Sequence, residues 1–213
     1  MLGRERVLAA FAHEEADRVP RTIWMFREDV REAVAERHGS VDAFFDFLDI
    51  DSFQTFPSKG MWPGGVGGID DALDATLTDP DDEDIYRAIR HDVEFQKGQK
   101  GRAVFCQTPG VFETSNGVLG IENSLTLLAM EPDKCHALYE KIARWAAIYA
   151  RNCLDVGVDI VHISDEPRHR PHITARYLFN QIIHKPALIF WASRFPEPIS
   201  QSHPWWFPVQ RSP

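Results

Sequence analysis

Two arginines one helical turn apart, a tryptophan just before them, and two adjacent carboxylates closing an apolar run are the residues here best suited to chemistry. The first three are Trp24, Arg27 and Arg31, in WMFREDVR; the others are Asp165 and Glu166, in DVGVDIVHISDEP. A guanidinium fork holds a carboxylate through two parallel hydrogen bonds, so paired arginines suit an anionic small molecule. Glu28, Asp29 and Glu32 lie among them, and the competing reading is a solvated helix face on which the charges pair locally. Asp165 and Glu166 end the alternating run VDIVHIS. Carboxylates at the end of a buried strand fall where α/β folds bind ligands, and partial burial there tunes them for proton transfer. Their competing role is to cap a following helix.

The elements that must position these residues are legible in outline. Residues 3–13 predict a helix with Val7, Leu8 and Phe11 on one face and Arg4, Glu5 and Arg6 polar. DRVP breaks it, because Pro20 biases its predecessor toward extended geometry. RTIWMF, 21–26, reads as a short strand. Residues 27–39 predict a helix with an acidic start, a basic end and Gly39 as its stop. Ser40 is placed to cap VDAFFDFLD. IDSFQTFPS reads as the next strand, and GMWPGGVGG, 60–68, as a loop. Asp79 and Pro80 predict the start of a helix running to residue 96. RAVFCQ, 102–107, reads as a buried strand, TPGVFETSNGVLG as a loop, and IENSLTLLAM as a helix. Residues 133–155 form the clearest helix, with Leu138, Ile142, Trp145, Tyr149, Cys153 and Val156 along one side. VDIVHIS is the strand after it. Strand, helix, strand in this order points to a parallel α/β arrangement.

Bulk properties narrow the function classes. The chain has 213 residues and a formal net charge of −9, which argues against a nucleic-acid binder needing a basic face. No apolar run approaches the ~18 residues of a membrane-spanning helix, and the charged N-terminus does not read as a signal peptide. Three cysteines, Cys106, Cys135 and Cys153, suit neither a disulfide framework nor a zinc knuckle. The expectation is a reduced, cytoplasmic protein with the cysteines in its core and no metal ligands.

RERVLAAFAHEEADRVP at the start, and GVLGIENSLTLLAMEPDKCHALYEKIARWAAIYARNCLDVGVDIVHISDE further on, resemble the uroporphyrinogen decarboxylase family. That family takes in the haem-pathway decarboxylase and the corrinoid- and coenzyme M-linked methyltransferases. The resemblance implies an α/β fold of the TIM-type (β/α)₈ class, with a cleft at the carboxyl ends of its strands. It implies a carboxy-lyase that removes an acetate carboxyl from an anionic tetrapyrrole-like substrate by protonating the adjacent pyrrole, with no cofactor. Trp24, Arg27 and Arg31 match the spacing of the family's substrate-binding arginine segment. Asp165 and Glu166 stand where a polar run lines the cleft, and are the expected catalytic residues. The alternative within the same superfamily is corrinoid-dependent methyl transfer at zinc, although the sequence contains no His-x-Cys pair of the kind that branch uses. An alternative of another class is an inactive fragment or interaction remnant.

After Glu166 the family pattern stops. The remainder is rich in Pro, His, Trp and Arg, and Glu197 is its single acid. The expectation is therefore an incomplete barrel, the N-terminal part only, over residues 1–166, followed by a divergent tail, 167–213, disordered or read in another frame. ALIFWA within that tail could pair as a strand. A partial barrel leaves strand edges unpaired and apolar faces uncovered, and so predicts self-association.

Overall fold

A computed structural model of the chain describes residues 1–23, 27–163 and the strand at 188–191. It is a mixed α/β fold with a small sheet containing parallel strands. The helices are α1 (Gly3–Phe11), α2 (Glu28–His38), α3 (Val41–Phe47), α4 (Ile69–Asp74), α5 (Arg87–Asp92), α6 (Val111–Leu119), α7 (Ile121–Met130) and α8 (Pro132–Asp155). The strands are β1 (Ser52–Thr55), β2 (Ala103–Thr108), β3 (Ile160–Ile163) and β4 (Leu188–Trp191), hydrogen-bonded in the order β1-β2-β3-β4. β1 and β2 run parallel, with Ser52 opposite Ala103 and Thr55 opposite Cys106. The ALIFWA segment thus supplies a strand, as its apolar run predicts. The other proposed features of the tail lie outside the described residues.

The chain divides into two compact units. One comprises Met1–Lys59, Glu83–Gln107 and Cys153–Val161; the other comprises Gly60–Asp82, Thr108–Asn152 and the chain from His162. In the second unit α8 supplies the long apolar stripe. Leu138, Ile142, Trp145 and Tyr149 are buried, as their spacing requires. The Trp145 and Tyr149 rings stack with centroids 5.3 Å apart, and Trp145 Nε1 donates to the Thr78 carbonyl at 2.6 Å. Lys141 reaches the end of α4, where its ammonium donates to the carbonyls of Ala72, Leu73 and Ala75. These are the oxygens a helix end leaves open, and burial holds the Lys141 pKa below its ordinary value. α7 has the predicted bounds, and exposes Ile121, Leu125 and Met130 while burying Ser124.

Three segments differ from their sequence reading. Residues 108–120 are not all loop, because α6 occupies 111–119. Its Ser, Thr, Asn and Gly look like turn chemistry, yet Val111, Ser115 and Leu119 recur every four residues and are buried as one stripe. Gly120 then separates α6 from α7 with φ +81°, a left-handed conformation that glycine adopts without strain. The helix expected from Asp79 starts later. Asp79 instead accepts from the Asp81 amide, forming a local turn, and a 3-10 turn at Glu83–Tyr86 leads into α5 and then a π-helix, Val93–Gln99. Residues 21–23 are not a strand: Arg21 pairs by backbone with the single residue Asp51. The remainder of RTIWMF, Trp24 to Phe26, lies outside the described residues.

Two measurements test this packing. Ile142→Ala should cost about 2–5 kcal/mol, read as a lowered urea midpoint with an unchanged slope. Burial lowers the pKa of His162 from its ordinary 6.5. The folded state therefore favours the neutral ring. Its contribution to stability is complete above about pH 6.5 and falls as acid protonates the unfolded chain first. His162→Gln should flatten the decline of the urea midpoint on going from about pH 7.5 to about pH 5.5.

Candidate ligand site at the carboxyl edge of the sheet

The two ends of the sheet differ in chemistry. At the amino end, within the first unit, a charged residue immediately precedes each of the first three strands: Asp51 before β1, Arg102 before β2 and Asp159 before β3. All three are buried side chains with complete sets of partners. Asp51, 1% exposed, accepts from the Arg6 guanidinium, from Arg18 Nη1 at 2.6 Å and from the Arg21 amide at 2.7 Å. Arg6 in turn donates to Asp17 at 2.5 Å, a hydrogen bond that raises the arginine pKa and holds the Asp17 carboxyl well below the usual carboxylate range. Gly3 of α1 passes so close that an added Cβ would lie 2.9 Å from Asp51 Cα, so only glycine fits.

Arg102, 3% exposed, donates to Asp42, to Asp46 and to Gln96 Oε1. Burial works to raise the Asp42 pKa, but hydrogen bonds from Lys100, Gln96 and Arg102 outweigh it and hold the carboxyl below its ordinary value. The π-helix is what turns Gln96 into this cluster: its wider winding ends with the Lys100 amide bonding the Phe95 carbonyl at 3.1 Å. Asp159 accepts from Arg4 Nε and Lys97 Nζ, both at 2.9 Å, and from the Val104 amide at 3.1 Å. A cavity of about 130 Å³ lies beside the first two clusters, lined in part by Gly3, Phe45, Asp51, Lys100 and Arg102. Its charged side chains are already committed to one another, and the amino edge of a parallel sheet is where stability rather than chemistry is encoded.

The carboxyl edge is the candidate site. In the first unit it presents Gln54 and Thr55 at the end of β1 and Gln107 near the end of β2. Thr55 Oγ1 donates to Asp92 of α5 at 2.7 Å, and Gln54 Nε2 donates to Gln107 Oε1 at 3.0 Å. In the second unit Thr108 Oγ1 donates to the His162 carbonyl at 3.4 Å. Among the described residues of the first unit this edge is polar, and it can orient a ligand through hydrogen bonds. Sequence reasoning missed Gln54 and Gln107, although a Gln is visible in each of the two strand runs SFQT and AVFCQT.

Of the residues singled out from sequence, Arg27 and Arg31 are described. Arg27 stands at the amino end of α2, 83% exposed, with its guanidinium on Asp29 at 2.8 Å. Arg31 Nε lies 3.7 Å from Glu28. Both arginines therefore have carboxylate neighbours on their own helix. Trp24, Asp165 and Glu166 lie outside the described residues. Cys106, Cys135 and Cys153 are buried, and burial raises the Cys135 pKa. Among the described residues no group of three His, Cys, Asp or Glu could hold a metal ion, and no helix is long and apolar enough to cross a membrane.

Asp51→Asn tests the assignment of the amino edge as structural. It leaves Arg6 and Arg18 without their shared counter-ion, and should cost on the order of 3–5 kcal/mol in urea unfolding.

Comparison with known proteins places the fold. No family model matches the chain, and no curated protein matches it. Among solved structures, a methyltransferase from Methanosarcina mazei is similar with a TM-score of 0.57, over 91% of this chain and 70% of that one. Sequence identity is 12%, so the likeness is one of fold, and this chain shares the α/β architecture of that protein.

Proposed function

We propose that this chain is a β/α-barrel-type protein of the methyltransferase branch, in preference to a tetrapyrrole carboxy-lyase. The observation that carries the reading is the fold shared with a methyltransferase over 91% of the chain. The parallel β1–β2 pairing with helices between the strands supports it, since the chain then winds as successive β/α units. Residues 1–166 are the barrel portion and the rest a divergent segment. The ligand binds at the carboxyl edge of the strands. Asp165 and Glu166, two and three positions past the end of β3 in sequence, are the carboxylates assigned to it. Trp24, Arg27 and Arg31 form the substrate-anchoring group, and Arg27 and Arg31 exchange their present carboxylate neighbours for an anionic group of the ligand, which in methylcobalamin is its phosphodiester. Such an exchange costs little, because exposed ion pairs contribute only about 0–1 kcal/mol.

A methyltransferase of this superfamily would draw on a corrinoid as methyl carrier and zinc as thiol activator. The described residues do not fit zinc: the three cysteines are dispersed in the core and no three-ligand group exists among those residues. The reading therefore rests on binding of the methyl carrier.

Titration of the full chain with methylcobalamin, followed by absorbance, tests this. The expected result is saturable binding, weakened at least tenfold in Arg27→Ala/Arg31→Ala and in Glu166→Gln, with urea midpoints unchanged. Conversion of uroporphyrinogen to products with fewer carboxyls, or no saturable binding of methylcobalamin, would overturn it.

A further inference from the structure

Within the second unit, α8 fastens one stretch of chain along most of its own length. Lys134, Lys141, Trp145 and Asn152 follow one another at steps of seven, four and seven residues, which sets them in one narrow stripe of the helix. Each donates to the stretch Gly60–Asp82, and in the same order. Lys134 Nζ holds Asp70 at 2.8 Å. Lys141 Nζ holds the carbonyls of Ala72 and Leu73, both at 2.8 Å, and that of Ala75. Trp145 Nε1 holds the Thr78 carbonyl at 2.6 Å, and Asn152 Nδ2 holds the Pro80 carbonyl at 3.1 Å and Asp81 at 2.8 Å. The fastened part therefore runs parallel to α8. Thr78 closes the stretch on itself: its amide donates to the Met61 carbonyl at 2.9 Å and its hydroxyl to the Gly60 carbonyl at 2.8 Å.

The stretch has little of its own to hold it. Its regular structure is α4, six residues long, which is too short to be stable alone. Five glycines fall within residues 60–68. Of its 23 residues, all described, only Met61, Ile69 and Ala72 are buried. Most of the bonds from α8 end on main-chain carbonyls, so they depend on the side chains of α8 and not on those of the stretch. Few buried apolar groups, with hydrogen bonds gathered on one neighbour, mark a segment that opens locally at less cost than unfolding the whole chain. The stretch also belongs to the connection that leaves the carboxyl end of β1, and long connections in that position commonly move.

We propose that residues 60–82 are a strap that lifts from α8 as one piece, with Lys141 as its latch. Lys141 is the central fastening and holds three acceptors at once, so losing it leaves three carbonyls without their donor. Its ammonium also lies 5.8 Å from the centroid of the Trp62 ring, which ties the glycine-rich part of the strap to the same point. Release at Lys141 loosens α4, and the Thr78 bonds carry the loosening back to Met61. Lifting bares the donor row of α8 and the edge of the Trp145 indole. The proposal rests on this row of bonds within the second unit, and stands whether or not the chain binds a methyl carrier.

Hydrogen peroxide, which converts accessible methionine to the sulfoxide, is the probe. Mass spectrometry of the full chain compares Met61, 5% exposed, with Met130, 75% exposed, as internal reference. In the unaltered chain the Met61 rate should stay flat up to about 1 M urea, because a local opening exposes little surface. Lys141→Met keeps the apolar stem and removes the donor, and should raise the Met61 to Met130 ratio about tenfold. Asn152→Ala acts at the opposite end of the strap from Met61 and should still raise the ratio about threefold, which a purely local fastening would not do. The unaltered chain and Asn152→Ala decide the matter even if Lys141→Met fails to fold. A Met61 rate that climbs with the slope of whole-chain unfolding, or a ratio unchanged in Asn152→Ala, would overturn the proposal.

Discussion

Asp51 lies almost wholly out of water between two guanidinium groups, and the first compact unit is organised around it. Its side chain gathers Arg6 of α1, Arg18 of the following turn and the Arg21 amide; its main chain bonds Arg21 and, through its carbonyl, the Ala103 amide that starts β2. One residue thereby fixes where α1 crosses, where the N-terminal segment returns and where β1 and β2 begin to pair. The arrangement is one of specificity more than net stability. Taking the charges out of water offsets much of their attraction, while losing one partner strands the others. Arg102 and Asp159 repeat the device one strand further along each time. Asp159 does so with both its side chain and its main chain on Val104, which leaves the β2–β3 register no freedom to slip.

This ionic edge explains what could and could not be read from the residues. The periodic elements were legible: the α8 stripe, the Gly39 stop with its φ of +87°, the Ser40 cap that accepts the Ala43 amide at 2.9 Å, and the runs that became β1, β2 and β3. Each depends on neighbours close in sequence. Arg6 looked like part of a solvated face because its partners, Asp17 and Asp51, are brought to it by tertiary structure. A signal was nonetheless present, since a charged residue stands immediately before each of SFQT, AVFCQT and IVHI. α6 was hidden by turn-forming residue types whose four-residue spacing outweighed their local preferences. Of the candidate site, the arginines of α2 were placed on a helix as their spacing required, and the amide pair was overlooked because glutamine in a strand carries no charge to attract notice.

The division of labour between the two edges bears on function. Charge is concentrated and mutually neutralised at the amino edge, and the carboxyl edge in the first unit is left with amides and a hydroxyl. A rim of that kind selects by hydrogen-bond pattern and shape.

The π-helix at Val93–Gln99 has a consequence for how this sequence can change. Its extra residue per turn is what brings Gln96 round to both Asp42 and Arg102. Deleting a single residue there would let the segment relax to ordinary winding, in which each residue steps by about 100° about the axis instead of the smaller angle of the π turn, so the side chains within it would be re-aimed. Lys97, which holds Asp159 and the Gly157 carbonyl, would swing away together with Gln96. Length in this stretch is therefore constrained more tightly than identity: substitutions along its solvent side are tolerable, whereas one insertion or deletion would unfasten two strands at once.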